Sequence, residues 1–191
     1  MAANVVSLLQ ESTPIVAVAN KAYDTPTQAP KVLTTSSTSF GSGGAQTTVS
    51  TSNTTDNWAG YVSTGGTYTG ITGSWIVPSV SATSDSTAAD ATWIGIGGDT
   101  SSDLIQVGTQ DMMSAGQQTT GTFYERLPDT AVSIPTVSVN AGDTINASIT
   151  EVSTGEWKIS ITDVTNGQSF TNSVAYNSSE SSAEWIQEAP S

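Results

Sequence analysis

The chain has 191 residues, enough for one domain with a sizeable core, and sets 4 basic side chains against 17 acidic ones for a formal charge of -13. That excess would repel a nucleic-acid backbone or an anionic membrane, so neither is expected as a partner. Histidine and cysteine are both absent, which excludes a His-assisted serine nucleophile, a cysteine peptidase, a Cys/His zinc site and any disulfide.

Residues 1–23 carry a broken apolar pattern interrupted by Glu11 and Pro14, with no basic residue before Lys21. This is a poor signal peptide and reads as a short helix or as the remnant of a leader or pro-segment. Residues 24–55 are rich in Thr, Ser, Gly and Pro with few large apolar side chains, the composition of a linker. From there the pattern changes, and residues 56–191 read as one folded unit. No stretch is apolar for long enough to form a membrane-spanning helix.

Within that unit, β-branched and aromatic runs between turn residues predict strands at 58–63, 68–77, 91–97, 104–109, 119–127, 132–139, 144–152, 156–163 and 168–176. Asn166-Gly167 predicts a tight two-residue hairpin turn, with further turns at 141–143 and 154–155. Trp157, Ile159 and Ile161 alternate with Lys158, Ser160 and Thr162, as expected of a sheet covered on one face. The expected fold is all-β, an antiparallel lectin-like β-sandwich of jelly-roll type with a flexible N-terminal segment.

With His and Cys chemistry removed, catalysis must rest on carboxylates, amides, hydroxyls or an all-oxygen metal site. The Asp-Thr steps at Asp24, Asp99, Asp129 and Asp143 lack the glycine of a pepsin-like site. Asp85, Asp90, Asp99 and Asp103 offer oxygen ligands without the spacing of a calcium loop, so no metal and no cofactor are expected. Asn53, Asn146 and Asn177 lie in glycosylation sequons, which arise readily by chance in so Ser/Thr-rich a chain.

Seven motifs then follow in order. They are Asn57-Trp58-Ala59-Gly60-Tyr61, Gly73-Ser74-Trp75-Ile76-Val77-Pro78, Trp93-Ile94-Gly95-Ile96-Gly97-Gly98, Leu104-Ile105-Gln106-Val107-Gly108, Phe123-Tyr124-Glu125 before Pro128-Asp129, Ala141-Gly142-Asp143, and Ser182-Ala183-Glu184-Trp185-Ile186-Gln187-Glu188. Their order resembles the eqolisin family of glutamic peptidases. The resemblance implies a catalytic pair of Gln106 and Glu184, with Trp58, Trp93 and Tyr124 in or beside the substrate cleft. It further implies an acid-acting, pepstatin-insensitive, secreted endopeptidase, a monomer whose partner is a peptide or protein substrate.

The chain departs from the family pattern at three places: Gly97 replaces an aspartate, Gln110 replaces another, and Arg126 stands where an aromatic residue is usual. Family members also continue past the Glu-Trp-Ile segment with further strands, so the unit is expected to be incomplete at its C-terminal side. Two other functions fit a sandwich of this composition. One is a glycan-binding or glycan-cleaving module with Glu125 and Glu184 as paired carboxylates. The other is a non-catalytic adhesion module on a Ser/Thr-rich stalk.

Overall fold

The computed structural model describes residues 4–9, 57–80, 88–99 and 101–189. Among them there is no helix, and the strands form two sheets packed face to face. The first sheet contains β1 (Asn4–Leu9), β3 (Tyr68–Ile76), β8 (Thr144–Ser153), β9 (Glu156–Asp163) and β10 (Ser169–Ala175), side by side in that order. The second runs β2 (Trp58–Thr64), β11 (Ser182–Glu188), β4 (Ala88–Gly97), β5 (Leu104–Ser114), β6 (Gln117–Arg126) and β7 (Val132–Ser133). Neighbouring strands are antiparallel except β1, which runs parallel to β3.

Alternation decides which side chains meet between the sheets. Trp157, Ile159 and Ile161 of β9 are fully buried and pack with Ile145 and Ile149 of β8 against Ile94, Ile96, Ile105 and Val107 of the second sheet. Burying side chains of this size stabilises the fold by about 2 kcal/mol each, which makes the inter-sheet layer the principal core.

The structure corrects several sequence expectations. Residues 4–9 form a strand rather than a short helix, while the rest of 1–56 lies outside the described residues. The strand expected at 132–139 shrinks to Val132–Ser133. Pro135 brings no N–H for a ladder, and the Thr122 hydroxyl takes over by donating to the carbonyls of Ile134 and Val137, at 2.9 and 3.1 Å. The hairpin between β9 and β10 closes through residues 164–167, with the Gly167 N–H donating to Asp163 O at 2.9 Å. Only Gly167 has a left-handed backbone there, φ 78°, so the turn is wider than the two-residue form expected at Asn166-Gly167. That two-residue form appears instead between β5 and β6, where Ala115 and Gly116 both have positive φ, 49° and 75°.

Strand β11 is the largest omission, since its residues count as a motif but not among the expected strands. It sits inside the second sheet, hydrogen-bonded to β2 on one side and β4 on the other.

Candidate active site

The second sheet has an outer face of its own. Strand parity places Trp58 and Val62 of β2, Glu184, Ile186 and Glu188 of β11, Trp93 of β4, Leu104 and Gln106 of β5, and Phe123 and Glu125 of β6 on the side away from the first sheet. The apolar members form a second buried cluster, separate from the inter-sheet core. Trp58 and Trp93 meet edge to face with ring centroids 4.8 Å apart. Two glycines make room for this layer: a Cβ on Gly108 would lie 2.5 Å from the Trp93 Cβ, and one on Gly95 would lie 2.8 Å from Leu104 Cδ1 and 2.9 Å from the Trp93 ring.

One transverse row of this face carries Glu184, Gln106 and Glu125, while Glu188 lies in another row. Val62, Glu184, Gly95, Gln106 and Glu125 stand opposite one another across β2, β11, β4, β5 and β6. Glu184 and Gln106 are therefore separated by a single strand, whose residue in the row is a glycine. At the usual strand spacing their Cα atoms are about 10 Å apart, with both side chains rising from the same surface.

Glu184 is fully buried, and neither carboxyl oxygen has a hydrogen-bond partner. Burial pushes its pKa well above the ordinary range, the carboxylates of Asp99 and Asp103 add to the rise, and the nearby Ser182 hydroxyl opposes it. Gln106 is 5% exposed, and its amide Nε2 donates to Glu125 Oε2 at 2.6 Å, while its Oε1 is buried without a partner. Burial also raises the Glu125 pKa, against the lowering effect of that hydrogen bond. Glu188 accepts from the Trp93 indole at 2.9 Å and is held by Trp58 as well. Its pKa is raised by burial, with a further contribution from the Glu125 charge.

Four of the five residues singled out in the sequence, Gln106, Glu184, Trp58 and Trp93, thus share one face. Tyr124 does not join them. It lies one position from Glu125 on β6 and so points to the opposite side, into the inter-sheet core, where its ring stacks on Phe170 with centroids 6.0 Å apart. Gly97, where the resemblance implies an aspartate, turns with φ 85° against Asp103, leaving no room for a side chain; Asp103 and Asp99 bring carboxylate charge near Glu184 from the adjoining loop. Glu188 and the Glu125–Gln106 contact were not anticipated. The signal for Glu188 was present, because residues 184, 186 and 188 of a strand share a face.

The two packed sheets match the β-sandwich fold of the glutamic peptidases. Comparison with known proteins agrees, since the model of the Peptidase A4 family matches residues 56–191, and the chain belongs to that family. It is 31% identical over 155 residues to Aspergillopepsin-2 of Aspergillus niger, covering 69% of this chain and 55% of that protein. With Scytalidopepsin B of Scytalidium lignicola it shares 30% identity over 125 residues, covering 65% of this chain and 46% of the relative. The chain thus spans about half the length of these relatives. Among solved structures, scytalido-glutamic peptidase with a transition state analog inhibitor superposes with a TM-score of 0.59 at 29% identity, over 69% of this chain and 64% of the other.

Proposed function

We propose that this chain carries the catalytic face of an acid-acting glutamic endopeptidase, with Glu184 as general base and acid and Gln106 as oxyanion donor. The observation that carries this reading is the shared register row, in which Glu184 and Gln106 flank Gly95 on one face. A water hydrogen-bonded to a Glu184 oxygen loses a proton to it while attacking the scissile carbonyl carbon. The Gln106 N–H donates to the oxygen that becomes negative, and Glu184 then returns the proton to the departing amine. Burial makes Glu184 the stronger base, and donors on the bound water and substrate supply the hydrogen bonds its ionised form needs. Gln106 does not itself titrate, so it remains a neutral donor group in acid.

Trp58 and Trp93 provide apolar walls along this row for an extended peptide, while Tyr124 supports the face from behind through the core. The protein acts outside the cell, as a monomer on peptide or protein substrates. A glycan-cleaving pair of Glu125 and Glu184 is disfavoured by the same register, because two strands separate them and their Cα atoms are about 14 Å apart. The Gln106 side chain stands between them in that row and already occupies Glu125 Oε2 at 2.6 Å.

The test is cleavage of a denatured protein between pH 2 and 6 in the presence of pepstatin, comparing the chain with Glu184→Gln and Gln106→Ala. Cleavage that disappears in both variants supports the reading. Cleavage that survives in folded Glu184→Gln removes this glutamate from the chemistry.

A further inference from the structure

We propose that Glu125 is a positioning residue that sets the orientation of the Gln106 side-chain amide according to its own protonation, so that acid turns both amide N–H groups away from Glu125 and frees them for the oxyanion. This rests on the Gln106–Glu184 reading for its catalytic consequence.

The two side chains are opposite each other on β5 and β6, both more than nine-tenths buried, and joined by the 2.6 Å contact from Gln106 Nε2 to Glu125 Oε2. An ionised carboxylate only accepts hydrogen bonds, so it holds the amide with its NH2 arm toward β6. The other arm is then the carbonyl Oε1, buried and without a donor. A protonated carboxyl can donate. Rotating the amide by half a turn exchanges Oε1 and Nε2 with almost no change of shape. The Glu125 O–H then donates to Gln106 Oε1, the orphaned acceptor is satisfied, and the NH2 arm occupies the side away from Glu125. No covalent bond changes, and the proton comes from solvent.

The charged groups around Glu125 are few. β11 places Glu184 and Glu188 on this face, and the Glu188 and Glu125 charges disfavour one another. β2 and β4 place no titratable side chain here, and Asp90 and Asp111 face the other side of the sheet. β7, paired to β6, contributes only Val132 and Ser133. Arg126, next along β6, faces the opposite side, donating to Ala175 O at 3.1 Å and pairing with Asp129 at 3.0 Å.

The direct test is the Gln106 side-chain NH2 resonance in the 15N-labelled full chain between pH 3 and 7, assigned by its loss in Gln106→Ala. At the upper end the proton held by Glu125 is expected downfield, as in a charge-assisted hydrogen bond, and it moves upfield as Glu125 protonates. Glu125→Gln, which can donate to Oε1 at every pH, removes this titration, whereas Glu188→Gln shifts its midpoint downward and keeps its amplitude. A resonance that does not move with pH, or that moves equally in Glu125→Gln, overturns the proposal. So does an amplitude lost in Glu188→Gln, which would assign the titration to that residue.

Activity provides the second arm, measured only where circular dichroism shows an intact fold. At the upper pH where the unaltered protein falls to half its maximal rate, Glu125→Gln keeps its full rate, about a twofold difference. An unchanged pH profile in a protein that still depends on Glu184 refutes the gating and spares the dyad. Cleavage independent of Glu184 refutes the dyad, while the resonance test still decides the amide.

Discussion

Asp90 and Asp111 stand directly opposite each other in the β4–β5 ladder, 3% and 1% exposed, and each keeps one carboxyl oxygen without a hydrogen-bond partner. Their other oxygens are held, Asp90 by the Gln187 amide and Asp111 by Gln118 at 2.7 Å and Thr120 at 2.5 Å. Burial, with the neighbouring Asp111 charge, pushes the Asp90 pKa from 3.8 up to about 6, and burial raises that of Asp111. Because the folded state binds these protons more tightly than the unfolded chain, their stabilisation is complete below the unfolded values. It is lost as pH climbs through the folded ones.

The melting temperature should therefore fall between pH 4 and pH 7, with Glu125, Glu184 and Glu188 contributing in the same direction. Asp103, whose pKa is lowered overall by donors from Ser101, Ser178 and Ser179 against burial, works oppositely and only below its unfolded value. Asp90→Asn should reduce the loss between the two pH values by up to about 3 kcal/mol. Equal slopes in the variant and the unaltered chain, by calorimetry, would remove Asp90 from the account.

Ala115 holds a left-handed backbone, φ 49°, at the first position of the β5–β6 turn. An L-residue with a Cβ resists that conformation, whereas Asn tolerates it. Ala115→Asn should raise stability by about 0.5–1 kcal/mol in urea denaturation without altering the slope of the transition. A decrease would mean that the turn is not held as described.

Gly108→Ala should cost about 3 kcal/mol or more, because the new methyl meets both the Trp93 Cβ and the Thr92 carbonyl in the centre of the sheet. Gly121, with no atom within 4 Å of its Cβ position, is the control and should tolerate alanine within about 0.5 kcal/mol.

Tyr124→Phe should leave KM for a peptide substrate unchanged and alter stability by less than about 1 kcal/mol, since the hydroxyl makes only a long 3.5 Å contact from Asn172. Trp93→Phe deletes the indole donor to Glu188 on the outer face and should raise KM several-fold. The opposite ranking would mean that the peptide is bound on some other surface.

The principal core was legible because Trp157, Ile159 and Ile161 alternate cleanly with polar residues. The outer face was harder to see, since β4, buried on both sides, has no alternation to read. Gln106 and Glu184 were singled out by motif order, which says nothing about parity. The same order brought Tyr124 with them, although its immediate neighbour Glu125 is the residue on the outer face. The Gln106–Glu125 contact needed the register of β5 and β6, which depends on the length of an Ala-Gly turn that no sequence expectation covered.

Strand β11 closes the sheet by inserting between β2 and β4, whose residues precede it by most of the folded unit. Its pairing is the most non-local in the second sheet, and such contacts form late because a long loop must be closed before either ladder rewards it. The base of the proposed dyad is carried on that strand. Until it is seated, Gln106 and Glu125 have no Glu184 to work with, so on the proposed mechanism an incompletely folded chain is inert toward its own exposed backbone and toward its unfolded neighbours.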